Sequence, residues 1–256
     1  MQLAVSPADF RRLERYLPRG LADPAAENTL DRAAGYLAQL ILSQRLSPGE
    51  KIPMDEIAEH IGASRTPVRE ALRLLETGGL VRSLTNRGFI VRRMNAEEIG
   101  HLFEARSCIE AFVVRAAFAR RTPAFLQELR ALHRIYSNLL GGKADRRRLG
   151  MVVDKAFHVR IAEQAGNPDL TSLLANMFDR LILTRPLEDF PLNRMHEAVE
   201  EHEALVAAFE RGKARDVEEA VKHNVHRGGA AIVSHMTHAR DFDFAPRKYK
   251  KEEEKR

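Results

Sequence analysis

Apolar positions between residues 54 and 92 follow two different periods. Val68, Ala71, Leu72 and Leu75 fall at i, i+3, i+4 and i+7, the spacing of one buried helical stripe. Arg65, Arg69 and Arg73 are successive i, i+4 neighbours on the other side, so three guanidinium groups project in one line. Gly62 supplies a left-handed turn ahead of this helix, and either Ser64 or Thr66 caps it. Pro67 lies in the first turn under either choice, where its missing N–H costs nothing. Upstream, Met54 to Ile61 reads as a short helix burying Ile57, Ala58 and Ile61. Downstream, Gly78-Gly79 ends the pattern. Leu80–Leu84 and Phe89–Arg92 then read as two short strands around Thr85-Asn86-Arg87-Gly88, a hairpin with a glycine in its turn.

A basic helix face alone is more often solvated surface than a binding face. Its neighbours change that reading. Helix, short turn with glycine and capped second helix make the helix-turn-helix pattern, and the hairpin serves as a wing with Arg87 and Gly88 at its tip. Arginine reads guanine edges bidentately and neutralises phosphates. Ser64-Arg65-Thr66-Pro67-Val68-Arg69-Glu70-Ala71-Leu72, then Gly79-Leu80-Val81, then Asn86-Arg87-Gly88-Phe89-Ile90-Val91 resembles the winged helix-turn-helix of the GntR family of bacterial transcription regulators, over Leu30 to Arg92. The resemblance implies DNA contacts from Ser64, Arg65, Thr66, Arg69, Arg73, Arg87 and Gly88. One stretch departs from it. Family members often carry an arginine early in the second helix, where this chain reads Pro53-Met54-Asp55-Glu56, so a phosphate or base contact there lacks its usual donor.

The first helix of this domain is expected from about Thr29 to Arg45, with Leu30, Ala34, Leu37 and Ile41 facing inward. Ser47-Pro48-Gly49 is a turn, and Lys51-Ile52 is placed to pair with the wing. Residues 1–27 form an extension in which Asp9 to Leu17 suits a short helix before Pro18, Gly20 and Pro24 break the pattern. The winged domain is therefore assigned to 28–93. After Met94 helical periodicity continues almost to the end. Asn95 with Glu98 is a capping signature, and breaks at Thr122-Pro123, Gly141-Gly142, Gly166-Asn167-Pro168, Pro186 to Pro191 and Gly212 divide the region into about six helices. The expected fold is mainly α: a winged helix-turn-helix with a small β-wing, then an all-α antiparallel bundle over 94–240. The charged tail, 241–256, is expected to be disordered.

Charge sharpens the first assignment. The formal net charge is +5. Residues 65–93 hold seven arginines against Glu70 and Glu76, an excess that accounts for the whole of it. No apolar run has the length of a membrane span, and the N-terminus lacks the apolar core of a signal peptide. The single cysteine, Cys108, fits a reducing cytoplasm and, sitting mid-helix without a motif, is expected in the core.

The helical region carries a second constellation. Asp154 and His158 are i, i+4 on one helix, and His202 sits within the apolar stripe of Met195, Val199, Leu205, Val206 and Phe209. His223 follows on the last long helix. A lone core histidine is more often hydrogen-bonded than metal-bound. If the four converge, one carboxylate and three imidazoles suit a divalent ion, Zn²⁺ first, with Ni²⁺ and Mn²⁺ as alternatives. Asp154-x-x-x-His158, Ala165-Gly166-Asn167-Pro168-x-Leu170, Glu201-His202 with Ala207-Ala208 and Gly212, and then His223 resemble the ligand-binding domain of the FadR subfamily, the FCD type. Many such domains hold a divalent metal on an aspartate and three histidines, which makes Asp154, His158, His202 and His223 the implied ligands. The resemblance also implies that Arg106 faces the pocket, where a ligand carboxylate would serve both arginine and metal; the competing reading is an i, i+4 pair with Glu110. Asn176 is a weaker pocket candidate.

Together these features point to a cytoplasmic, DNA-binding transcriptional repressor. It is expected to act as a homodimer on a two-fold symmetric operator, modulated by a small organic or sugar acid beside the metal. No catalytic residues are assigned. Two alternatives stand beside it: a metal-dependent hydrolase using the Asp/His site, and a DNA-binding protein with a purely structural metal and no effector.

Overall fold

The computed structural model describes residues 6–17, 28–42, 45–85, 87–140, 144–183 and 193–238. Asn86, the Gly141-Gly142 and Pro186 to Pro191 breaks, the Pro18-to-Pro24 segment and the charged tail lie outside them. The chain forms two compact units. One comprises Met1–Tyr16, Met94–Phe178 and Leu187–Asp241; the other comprises Leu17–Arg93, Asp179–Pro186 and Phe242–Arg256. Among the described residues the first is helical and the second holds a small two-stranded sheet.

The winged unit contains α2 (Thr29–Leu42), α3 (Met54–His60), α4 (Arg65–Thr77), β1 (Val81–Leu84) and β2 (Gly88–Val91). Helix α4 buries Val68, Ala71, Leu72 and Leu75, the stripe its spacing predicts. Helix α3 buries Ile57 and Ala58 but leaves Ile61 half-buried. The chain then turns through Gly62 at φ 62°, a left-handed conformation that favours glycine. The strands pair antiparallel with Val81 opposite Val91 and Leu84 opposite Gly88. Lys51 bridges Ile90, and the Ile52 N–H donates to the Phe89 carbonyl at 2.9 Å, so the stretch before α3 lines the wing as expected. The inner face of α2 differs from expectation. Ala33, Leu37, Ala38, Leu40 and Ile41 are buried, while Leu30 and Ala34 are half-buried. Leu37 and Ile41 belong to either phase of so apolar a helix, and packing selects the phase centred on Ala33 and Leu40.

The helical unit contains α1 (Pro7–Glu14), α5 (Ala96–Ala119), α6 (Pro123–Ser137), α7 (Ala144–Ala165), most of α8 (Pro168–Leu183), α9 (Arg194–Arg211) and α10 (Ala214–His238). The expected capping box opens α5: Asn95 accepts from the Glu98 N–H at 2.8 Å, and Glu98 accepts from the Asn95 N–H at 2.9 Å. Thr122 caps α6, and Gly166 and Gly212 follow α7 and α9 with positive φ. Helix α5 packs along α10 and α7, and α6 along α7 and α9. Close approach of α5 to α10 requires a bare backbone, because a Cβ on Gly229 would lie 2.9 Å from Phe103 Cβ. Helix α1 packs on α7 and fully buries Leu13 and Tyr16. Arg15 reaches Glu128 on α6 at 3.0 Å and Glu163 on α7 at 3.3 Å, so of the described residues of the extension those up to Tyr16 belong to this unit.

Cys108 is exposed, contrary to the core position expected. The inner stripe of α5 runs through Ile99, Leu102, Phe103, Arg106, Glu110 and Val113, which turns residue 108 outward.

Candidate nucleic-acid interface and metal centre

In the winged unit, Arg65, Arg69 and Arg73 are all exposed along α4. Ser64 occupies the N-cap in extended conformation, yet its side chain makes no capping bond. Arg65, Thr66, Arg69, Arg87 and Gly88 line one concavity of about 690 Å³ with Lys51 and the start of α3. Helix start and wing tip, separated by some twenty residues of chain, thus face one space. Gly88 sits at φ 87°. A Cβ there would meet only Lys51 Cε at 3.9 Å, so the backbone conformation rather than crowding calls for glycine. Arg65 is not free in this space. It makes a two-pronged ion pair with Asp55, its Nε and Nη2 donating to the two carboxylate oxygens.

In the helical unit, Asp154, His158 and His202 converge. His202 Nε2 lies 3.3 Å from His158 Nε2 and 3.2 Å from Asp154 Oδ1, and His158 Nε2 lies 3.9 Å from the same oxygen. Both imidazoles are buried and Asp154 is partly open. The i, i+4 step on α7 aligns Asp154 with His158, while the apolar stripe of α9 delivers His202. His202 stacks on Phe157 with ring centres 4.1 Å apart, which orients it. Its Nδ1 is buried with no partner among the described residues.

Glu110 was not singled out as a site residue from sequence, yet it orients His158. Its Oε2 lies 2.5 Å from His158 Nδ1, while its Oε1 accepts from Arg106 Nε at 2.8 Å. A carboxylate at that distance favours the tautomer with its hydrogen on Nδ1, which would leave the Nε2 lone pair of His158 aimed at the cluster. Position 110 lies on the inner stripe of α5, which is the signal that could have found it.

Burial raises the Asp154 carboxyl, but the His202 hydrogen bond and the charges of His158, His202 and Arg106 outweigh it and hold the group well below the carboxylate range. For His202, burial dominates over the attraction of Asp154 and pushes the imidazole down to about 4. Glu110 is also lowered: burial opposes ionisation, and Arg106 and His158 overcome it.

The three groups fit a divalent cation. Imidazole nitrogens about 2.0–2.1 Å from a tetrahedral ion stand about 3.4 Å apart, close to the separation of the two facing nitrogens. Two borderline nitrogens and one hard oxygen suit Zn²⁺, which would polarise a bound carboxylate. The expected fourth ligand is corrected. His223 is exposed on α10 and does not join the cluster. Asn224 takes the buried place and donates to Glu201 Oε2 at 2.7 Å. Val217, Val221, Val225 and Ile232 define the inner face of α10, and on that face 224 points in and 223 out.

Arg106 is buried, and its pair with Glu110 is the competing reading of its sequence. Its guanidinium carbon lies 4.0 Å from the Phe178 ring centre and 4.8 Å from that of Phe103. Its Nε edge is committed to Glu110. Asn176 is half-buried on α8.

Residues 29–91 match the family described as bacterial regulatory proteins, gntR family, and residues 101–227 match the FCD domain. The chain is 30% identical over 146 residues to the Nta operon transcriptional regulator of Aminobacter aminovorans, covering 57% of this chain and 68% of that protein. It is 29% identical over 192 residues to a protein of Paenarthrobacter nicotinovorans named "Probable D-xylose utilization operon transcriptional repressor", covering 74% and 82%. The structure of E. coli McbR/YncC shares the fold with a TM-score of 0.68 at 20% identity, over 82% of this chain and 99% of that one. No described helix is long and apolar enough to cross a membrane. A winged unit with an arginine-lined concavity, followed by an FCD domain, makes this chain a member of the GntR family of bacterial transcription regulators.

Proposed function

We propose that this regulator is a cytoplasmic repressor. As a homodimer it holds two winged units over a two-fold symmetric operator, and a small carboxylate bound beside a divalent ion in the FCD domain weakens its grip. The observation that carries the reading is the pairing in one chain of an arginine-lined concavity with an Asp154–His158–His202 cluster whose two imidazoles are buried. Ser64, Arg65, Thr66, Arg69, Arg73, Arg87 and Gly88 form the DNA-reading set. Asp154, His158 and His202 hold the ion, Zn²⁺ by donor type.

Charge favours an anionic effector. Asp154 and Glu110 carry two negative charges and Arg106 one positive. Adding a divalent cation leaves one net positive charge, which a single carboxylate balances. Arg106 contributes through this field, and Asn176, half-buried on α8, is a weaker candidate for the effector pocket.

The test uses zinc-loaded and chelator-treated protein, a panel of small carboxylic acids, and the duplex that the protein selects from a random-sequence pool. At least one acid should raise the melting temperature of the zinc form and release the duplex. Release that is unchanged in chelated protein would defeat the metal-assisted reading. Turnover of the acid would point to an enzyme instead.

A further inference from the structure

We infer that Asp55 sets how Arg65 reads DNA, a step that rests on the concavity between α4 and the wing being the DNA-reading face. Asp55 belongs to α3, in the very stretch that departs from the family pattern, and Arg65 is the first residue of α4. The two side chains are each 69% exposed. At that exposure the pair adds little to folding, because solvent screens it. Its consequence lies in geometry.

A guanidinium has five N–H donors in a rigid plane. Asp55 takes two of them, one on Nε and one on Nη2. The three that remain lie on Nη1 and the outer edge of Nη2. This is an end-on fork of the width that matches guanine O6 and N7. The carboxylate therefore leaves the base-reading edge open while holding the plane of the guanidinium. It also biases Arg65 against swinging to a phosphate. Asp55 and Arg65 line the same concavity as Thr66, Arg69, Arg87 and Gly88, so the held arginine borders the space shared with the wing. A carboxylate there is repelled by phosphates wherever Arg65 finds no guanine to receive its fork. Asp55 thus lowers binding to unmatched DNA more than binding to matched DNA, and is a positioning residue for specificity.

The experiment measures affinity for the duplex selected by the parent from a random-sequence pool and for a scrambled duplex, at several salt concentrations. The proteins are the parent, D55N, R65A and the double variant. D55N should bind the scrambled duplex several-fold more tightly and the selected one no better, lowering the specificity ratio about tenfold. Its salt dependence on scrambled DNA should steepen by about one phosphate contact, as Arg65 turns to the backbone. With Arg65 already removed, D55N should leave the ratio almost unchanged. A D55N protein with the parent ratio overturns the inference. So does a D55N effect of equal size in the R65A background, which would make Asp55 a bare repulsive charge. If R65A binds the selected duplex as the parent does, the failure belongs to the assignment of the face itself.

Discussion

His158 and His202 point their Nε2 atoms at each other across 3.3 Å from different helices, α7 and α9. At most one of those nitrogens can carry a hydrogen towards the other. Glu110 beside Nδ1 favours a hydrogen there, and in that tautomer His158 offers a lone pair at Nε2. In the metal-free protein His202 is then the donor, to His158 or to Asp154. A divalent ion displaces that hydrogen and uses both lone pairs. Two histidines brought so close in a buried place are arranged for a shared cation more readily than for each other.

The metal-free protein should lose stability as pH falls from about 6.5 towards 4. In the unfolded chain His202 protonates near 6.5, whereas in the fold burial holds it down at about 4. The unfolded state therefore binds the proton first, and stability contributed by neutral His202 is complete above 6.5 and drains away below it, by about 3 kcal/mol at most. Denaturant midpoints of chelated protein across this range check the sign. A flat profile would mean that His202 is not held neutral. Zinc-loaded protein should release its ion over the same acid limb.

Glu110→Gln should weaken metal binding about 10- to 100-fold, since a neutral amide oxygen accepts from Nδ1 of His158 more weakly than a carboxylate and adds no negative charge to the ligand. It also leaves Arg106 buried without its counter-charge, which costs about 3 kcal/mol or more. Arg106→Ala should destabilise comparably by orphaning Glu110, so loss of effector response in that variant must be read beside its melting curve. Zinc isotherms with competing chelator, run on folded material, separate the two effects. Unaltered zinc affinity in Glu110→Gln would remove Glu110 from the site.

Gly229→Ala should destabilise the helical unit by about 1–3 kcal/mol, because the added methyl meets the Phe103 side chain and α5 and α10 must separate or Phe103 must leave its rotamer. Gly100→Ala, on the same α5 helix, meets nothing within 4 Å and should be neutral or stabilising. Equilibrium unfolding of the two variants tests this contrast. Equal midpoints would show that the interface tolerates a side chain.

On the DNA face, Arg65→Ala and Arg69→Ala should each cost about 1–3 kcal/mol of binding to the selected duplex, the range of a bidentate guanine contact. Gly88→Val should also impair binding, since a β-branched residue resists the positive φ at that turn. The melting behaviour of the helical unit should not change. Binding measured at one fixed salt concentration decides it. Parent-like affinity in all three variants would move the recognition surface elsewhere.

The elements whose period is strong were legible from the chain itself. The stripe Val68, Ala71, Leu72 and Leu75, the Asn95–Glu98 capping box, the pairing of Lys51-Ile52 with the wing and the helix ends at Gly166 and Gly212 all follow from local chemistry. So does the alignment of Asp154 with His158, because one helical turn brings i and i+4 together. Tertiary packing decided the rest. Helix α7 is buried on nearly every side from Met151 to Ala162, so no polar face betrays which neighbour each residue meets. That Glu110 rather than a ligand carboxylate receives Arg106 and His158 depends on α5 lying against α7. A step of one residue rotates a helical side chain by about 100°. Spacing along the chain therefore could not choose between His223 and Asn224 as securely as the packing of α10 on α5 does, which turns Asn224 inward and leaves His223 in solvent. The docking of α1 through Leu13 and Tyr16 is of the same kind. A short amphipathic segment carries an apolar face in its sequence, and only the fold supplies the surface that covers it.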